Sequence, residues 1–419
     1  MINDMTLVLT EACNMRCKYC FEKEGNYRNK YMSEKTIEKA LMLFLKQPFE
    51  HFSINLFGGE PTLNNSALNK LIDILNETDK SIEIDMTTNL FYINQNVMSR
   101  INELAKKTNI DFHICVSVMF NKELHNEDRI DIKGNGTYDK IIDNLEYCLK
   151  KYNNIRFSAH SVISKKNIKN ISKIIDSAIE FKLTHQRLDK NSFALVSTAS
   201  LNNSEDEYTK EELKYYYEDY IKRDKEQYGI CKKYIEELYF PITYSFDLLH
   251  NRELTVCRAM KSEITIGTDG NISPCHRADM GSKNISIPKI SYGNIMDMNS
   301  IEDVEKNIPK IDNIEDGKVK FISELTEGDC TKCNFNSMCH TCIIANYNST
   351  GSFEYKSKGE CLRTMTMAEL TMEYERVKMM KEIRNELENI NNRLNSLGEI
   401  TTINTEALVE LLKQKENNN

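Results

Sequence analysis

The feature that most constrains this chain is a run of three cysteines, Glu11-Ala12-Cys13-Asn14-Met15-Arg16-Cys17-Lys18-Tyr19-Cys20, placed directly after an apolar stretch that reads as a strand. The C-x3-C-x2-C spacing sets three thiolates on one short loop. Four protein thiolates would close a cubane of four irons, so three leave one iron open to an outside ligand. Catalytic zinc sites keep an open position by the same logic. The amine and carboxylate of an amino acid suit such an iron as a chelate. A closed zinc site would need a fourth ligand, and no further Cys or His stands near this loop.

Up to about residue 200, apolar runs bounded by turn signals alternate with segments of helical period. Strands are expected over 6–10, 52–57, 82–88, 112–118, 155–163 and 193–197, and helices from the Ser33 cap to 45 and over 68–75, 95–105, 138–150 and 168–181. Strict alternation predicts a parallel sheet with right-handed crossovers. Six such units are too few for a closed eight-stranded barrel, and the pattern alone leaves a partial barrel and a doubly wound sheet both open. A charged, Tyr-rich stretch over 208–237 reads as a helical connector. From 257 to 363 elements are short and cysteine is dense, so metal sites are expected to supply much of the folding energy there. After 363 the chain is helical again, with Met365, Leu370, Val377, Met380, Ile383, Leu387, Ile390 and Leu394 near helical period.

Composition narrows the setting of these cysteines. A net charge of −8 over 419 residues argues against a nucleic-acid binder. No apolar run is long enough to cross a bilayer, and Met1-Ile2-Asn3-Asp4-Met5 lacks the basic and apolar regions of a signal peptide. A cytoplasmic location is therefore expected, where thiols stay reduced. The thirteen cysteines are then metal ligands, catalysts or core residues before they are disulfides. Seven fall between 257 and 361, while Cys115, Cys148 and Cys231 stand alone.

The first cysteine loop resembles the radical SAM superfamily, whose signature is this spacing with an aromatic residue before the third cysteine, here Tyr19. The resemblance implies a partial (β/α)6 barrel over 1–205, a 4Fe–4S cluster on Cys13, Cys17 and Cys20, and S-adenosylmethionine on its open iron as the source of a 5′-deoxyadenosyl radical. Phe57-Gly58-Gly59-Glu60-Pro61-Thr62 is similar to the family's Gly-Gly-Glu motif, which lies against the methionine amino group. Paired glycines let backbone approach a ligand, and a carboxylate suits an ammonium. Asn89, in Thr87-Thr88-Asn89, matches a polar pair in relatives. Ser117 and Arg129 stand where relatives contact the ribose and the methionine carboxylate. Gly134-Asn135-Gly136-Thr137-Tyr138 opens the next helix, as it often does in the family. Met119-Phe120 departs from the Asp-Gly common after that strand. His125, Cys115 and Cys148 are expected to serve packing or surface roles.

Downstream, Cys257-x12-Gly270-x4-Cys275 is followed by Cys330-x2-Cys333-x5-Cys339-x2-Cys342 and then Cys361. Paired zinc sites using His276 and His340 are one reading. The pattern resembles the SPASM extension of radical SAM maturases, with one residue fewer between Cys339 and Cys342, and Tyr292-Gly293-Asn294-Ile295 resembles a segment of the same extension. That resemblance implies two auxiliary 4Fe–4S clusters. Cys330, Cys333, Cys339 and Cys361 would close the outer one, and Cys257, Cys275 and Cys342 would hold the inner one. Its fourth position falls to Cys231 or to a substrate thiolate. The implied domains are the barrel, a connector over 206–250, the cysteine-rich extension over 251–365, and a helical tail over 366–419.

Relatives with this extension mostly modify peptides or proteins. The expected activity is thioether crosslinking of a ribosomally made, cysteine-rich precursor peptide, with an external electron donor such as flavodoxin or ferredoxin, and with neither nucleic acid nor membrane as partner. Anaerobic sulfatase maturation, which yields formylglycine, is the second reading. Enzymes of that kind pair a cysteine with Asp near the inner cluster, whereas Cys275 is followed by His276-Arg277. A non-catalytic metal scaffold is the third. Only twelve residues precede Cys13, so leader recognition is expected elsewhere, and the Met- and Leu-lined tail is one candidate surface for a partner helix.

Overall fold

A computed structural model describes the protein over residues 2–20, 29–189, 191–195, 208–215, 262–280, 286–309, 342–353 and 385–397, with isolated positions and short pieces between. Strand β1 (Asp4–Thr10) is followed by α1 (Glu34–Leu45), β2 (His51–Gly58), α2 (Asn65–Asn76), β3 (Ser81–Thr88), α3 (Gln95–Leu104) and β4 (Ile110–Ser117). Then come α4 (Lys122–Asp128), α5 (Tyr138–Lys151), β5 (Arg156–Ile163), α6 (Ile171–Thr184) and β6 (Asn191–Leu195). The strands pair in parallel, each beside its predecessor. Each crossover carries a helix, which is the βαβ series read from the alternating pattern.

Strand parity divides the sheet into two unlike faces. Leu7, Ile54, Ile84, Ile114 and Ala159 alternate onto one face and are fully buried. Against it pack the apolar stripes of the helices, as where Phe44 of α1 meets Phe52 of β2 with ring centroids 4.9 Å apart. On the other face Thr265, Thr6, Asn55, Asp85 and His113 stand in register across five strands. Parallel sheets usually bury apolar residues on both faces. A polar second face is what a sheet curling around a lumen would need.

Local chemistry sets the helix starts. Ser33 caps α1 through Oγ, which accepts from the Thr36 amide at 3.1 Å. Asn64 caps α2 and also donates from Nδ2 to the Leu9 and Met32 carbonyls at 2.8 and 2.9 Å, pinning the helix to the end of β1. Helix α4 was not expected, because seven residues carry too little periodicity to show. The Asn121 side chain caps it.

The cysteine-rich stretch joins the main sheet. Its first strand, β7 (Glu263–Ile266), pairs in parallel with β1, and β8 (Ile272–Ser273) pairs antiparallel with β7. An uncovered β1 would present a row of unpaired backbone groups, and the Glu-Ile-Thr-Ile run closes that edge. Ile264, Ile266, Ile272, Ile295, Ile343 and Ile344 of this region are buried. The chain divides into compact units at Met1–Met367 and Ala368–Asn419. Most of the 208–237 connector lies outside the described residues, as do 196–197, Leu370, Val377 and Met380. Among the described residues no helix is long and apolar enough to cross a membrane.

Ile114→Ala, in the centre of β4, should destabilise the first unit by about 2–5 kcal/mol through lost burial and a residual cavity. Urea unfolding followed by near-UV circular dichroism would read this as a lower midpoint.

Candidate functional site

The loop after β1 is fixed by backbone. The Arg16 amide donates to the Ile130 carbonyl at 2.7 Å and the Lys18 amide to the Asp128 carbonyl at 2.9 Å, so the turn after α4 grips it from one side. The Gly59 amide donates to Thr10 O at 2.8 Å and the Glu60 amide to Ala12 O at 2.9 Å, gripping it from the other. Within it Arg16 donates to the Cys13 and Met15 carbonyls, and the Cys20 amide to Cys17 O. Cys13, Cys17 and Cys20 are all half-buried. Burial raises the Cys13 thiol pKa most, followed by the Glu60 charge, with smaller contributions from Cys17 and Cys20. The three sulfurs thus feel one another. A cation held among them would reverse that balance and favour thiolates.

The paired glycines allow a close approach of backbone to backbone. Gly58 sits at φ +142°, where a Cβ would lie 2.3 Å from Thr10 O, and a Cβ on Gly59 would lie 2.4 Å from Ala12 O. The backbone they admit is that of the cysteine loop. The Glu60 side chain is 1% exposed and is likewise engaged by protein. Its Oε1 accepts from the Thr62 amide at 3.1 Å, the Thr62 hydroxyl at 2.7 Å and the Thr88 hydroxyl at 2.6 Å, and Oε2 accepts from the Asn89 amide at 2.7 Å. Burial pushes its pKa up, and these bonds work against that shift. Asn89 Nδ2 donates to Asn14 Oδ1 at 2.9 Å and reaches Cys13 Sγ at 3.7 Å. Leu90 after it takes φ +54°, a strained turn for a branched residue, held by the Thr88 hydroxyl and by Asn144 on α5.

Arg129 is buried at the end of α4 and donates from Nη1 to the Tyr19 hydroxyl at 2.6 Å. Burial opposes its charge, but Tyr19 and the Cys17 and Cys13 thiols more than offset this and hold its pKa above the ordinary value. Its Nε has no partner among the described residues. A buried, unspent N–H on a cation beside three thiols fits an anionic group of a ligand on the loop. Ser117, at the end of β4, pairs in register with His160 of β5. Burial, then Arg129, pushes His160 down to about 4, so it stays neutral there. His125 is fully buried: its ring bonds the Met119 amide and Thr137 Oγ1. Met119 and Phe120, which replace the common Asp-Gly, are buried, with Phe120 against Phe181. Cys148 is buried in α5, and Cys115 is half-buried on the polar face of β4.

Of the second set, Cys257, Cys330, Cys339 and the candidate Cys231 lie outside the described residues. Cys275 precedes α7 (His276–Met280) and Cys342 caps α9 (Ile343–Thr350), with α8 (Ile301–Lys306) between them in sequence. Burial, then Cys342, pushes Cys275 up to about 12, so the two thiols are neighbours. The buried Tyr292 hydroxyl is close enough to feel Cys275 and has no partner among the described residues. Cys361 is buried and Cys333 half-buried. Among the described residues no three Cys, His, Asp or Glu close round a single ion. A cubane spreads its thiolates around its outer corners and does not need them to.

Two features escaped the sequence reading. His113 bridges Asp85 Oδ1 at 2.5 Å and Ser158 Oγ at 2.8 Å, joining β3, β4 and β5 across the polar face. Alternating polar residues at 83, 85, 87, 111, 113, 115 and 117 carried that signal. The other is His276, whose ring packs on Phe57 at 4.6 Å between centroids, bringing the residue after Cys275 to the strand that ends in Gly58. Nothing in local sequence marks that long-range contact.

Residues 7–178 match the Radical SAM superfamily. The radical SAM cyclopropyl synthase TigE of Paramaledivibacter caminithermalis is 24% identical over 383 residues, covering 86% of this chain and 72% of that protein. An uncharacterized protein of Methanocaldococcus jannaschii is 29% identical over 42% of this chain and 58% of its own length. A GTP 3′,8-cyclase of Clostridium perfringens is 28% identical over 39% of this chain and 47% of its own length, so the chain spans about half of these last two relatives. Among solved structures, anSMEcpe with bound AdoMet and Cp18Cys peptide superposes with TM-score 0.65 at 18% identity, covering 92% of this chain and all of that one. Streptococcus suis SuiB bound to precursor peptide SuiA gives 0.60 at 18%, covering 86% and 76%. At these identities the likeness establishes fold alone: a partial barrel of parallel βα units followed by further elements.

Gly59→Ala should leave the barrel folded but displace the cysteine loop. Iron bound after anaerobic reconstitution should then drop by about one cluster per chain, while far-UV circular dichroism is unchanged. A second outcome concerns Asp279 of α7, whose pKa burial raises to about 6, aided by Asp269 and Glu11. A raised carboxyl contributes stability below its unfolded value near pH 4 and loses it as pH climbs through about 6. Asp279→Asn should flatten the stability profile between those limits in thermal melts.

Proposed function

We propose that this radical SAM chain is a maturase that modifies a ribosomally made, cysteine-rich precursor peptide, most simply by joining a peptide sulfur to a carbon. Cys13, Cys17 and Cys20 would hold the SAM-binding 4Fe–4S cluster, which with S-adenosylmethionine supplies a 5′-deoxyadenosyl radical. The observation that carries the reading is the buried Arg129, charged beside the cysteine loop with Nε unspent, as an amino-acid carboxylate on that loop would require. Gly58, Gly59 and Glu60 shape the backbone around it, Asn89 ties the loop to β3, and Ser117 stands at the mouth of the polar face.

Cys275 and Cys342, with Cys257, would hold the inner auxiliary cluster, and Cys330, Cys333, Cys339 and Cys361 the outer one. Forming C–S from C–H and S–H removes two hydrogens, one as an atom and one as a proton with an electron. Accepting that electron is the chemistry the auxiliary groups would supply. The Tyr292 hydroxyl supports their placement, since cluster sulfides accept hydrogen bonds. The polar sheet face, with neutral His160 and the His113 bridge, suits a peptide backbone better than an apolar substrate. TigE, matched over most of both chains, is a cyclopropyl synthase, so a carbon–carbon product is the nearest rival outcome. An external donor such as flavodoxin or ferredoxin would reduce the first cluster in the reducing cytoplasm.

Anaerobic incubation with dithionite and S-adenosylmethionine should yield 5′-deoxyadenosine, and Cys17→Ala should abolish it. Cys275→Ala should still cleave S-adenosylmethionine yet leave a candidate peptide unmodified. Mass spectrometry would show a loss of two hydrogens per crosslink for wild type. Absence of 5′-deoxyadenosine from a fully reconstituted protein would overturn the proposal. A desulfurised formylglycine product would point to sulfatase maturation instead.

A further inference from the structure

The second compact unit, Ala368–Asn419, carries an exposed apolar stripe. Met372, Met379, Ile383, Leu387, Ile390, Leu394 and Leu397 are helical and each between 44% and 61% exposed. At about 100° per residue they fall within an arc about 80° wide. Helices that pack on a globular core carry a broader apolar face, whereas a two-helix seam is this narrow. From Ile383 onward the spacing is 4, 3, 4, 3, the alternation of d and a positions in a heptad, with Leu387 and Leu394 at a and Ile383, Ile390 and Leu397 at d. The remaining residues of 385–397 are exposed and polar. Seven large apolar side chains exposed along one line are more than chance leaves on a surface.

Charge identifies the occupant. In this register Glu386 and Arg393 both fall at g, one heptad apart and on the same flank of the seam. In an antiparallel pair of identical helices g faces g, so Glu386 of one copy meets Arg393 of the other, twice by symmetry. In a parallel pair each would instead face an e position, Asn391 or Gly398, and find no charge. We propose that this stripe is the seam of an antiparallel two-helix contact with a second copy of the same chain. Leu387 stacks against Ile390 and Ile383 against Leu394 across the dyad, and the methionines at 372 and 379 fit the ends, where flexible side chains adapt.

Sedimentation velocity on the full-length, anaerobically reconstituted protein tests this. Wild type should show a concentration-dependent dimer, and Leu387→Asp with Leu394→Asp should be monomeric with unchanged iron content and 5′-deoxyadenosine formation. Glu386→Arg and Arg393→Glu should each raise the dissociation constant roughly tenfold, and the double reversal should restore it. A wild-type monomer at every concentration overturns the proposal, whether the seam is then covered by the chain's own last residues or by a substrate leader. A dimer indifferent to the leucine changes, or one that the leucine changes break but the charge reversals leave untouched, overturns it as well.

Discussion

A single buried carboxylate organises the site. Glu60 leaves the end of β2 and takes hydrogen bonds from Thr62 beside it and from Thr88 and Asn89 at the end of β3. A charge stripped of water is costly unless donors replace the lost hydration. Here four donors converge, two of them hydroxyls at 2.6 and 2.7 Å, the short range of charge-assisted bonds. The ends of two neighbouring strands are thus tied at one point. Asn89, fixed by its amide to that point, extends the tie through its side chain to Asn14 and Cys13. Position of the first thiol therefore depends on this carboxylate.

The opposite charge enters from the far side of the loop. Arg129 reaches Tyr19 between the second and third cysteines, and the backbone around Asp128 and Ile130 holds Arg16 and Lys18. The loop lies between an anionic clamp on β2 and β3 and a cationic one at the end of α4.

Much of this was legible before the fold was known, and the limits follow from what sequence encodes locally. The three cysteines and the βα alternation are short-range patterns, so the loop and the helices capped by Ser33 and Asn64 fall where the residues say. The protein donors around Glu60 were not legible, because a carboxylate after two glycines says nothing about which donors will surround it. Two of the four come from the end of β3, 28 and 29 residues away. Likewise the approach that Gly58 and Gly59 permit was legible, but its object, the loop backbone, depends on the β1–β2 register. The polar face lay within reach: period-two alternation of polar residues in strands flanked by crossover helices contradicts two-sided apolar burial.

The placement of β7 bears on how the two cysteine regions communicate. It pairs with β1, the strand that ends in the first cysteine loop, and two residues beyond that pairing Thr268 donates to Glu11 at 2.9 Å, two residues before Cys13. A few residues later His276 rests on Phe57, just before the Gly-Gly pair. Backbone pairing, a hydroxyl–carboxylate bond and a ring contact therefore link the segment bearing Cys275 to both strands that shape the first site. Sheet hydrogen bonds tolerate little sliding, because a one-residue slip would turn every side chain to the other face. The distance between the regions is thus fixed by register rather than by a flexible linker.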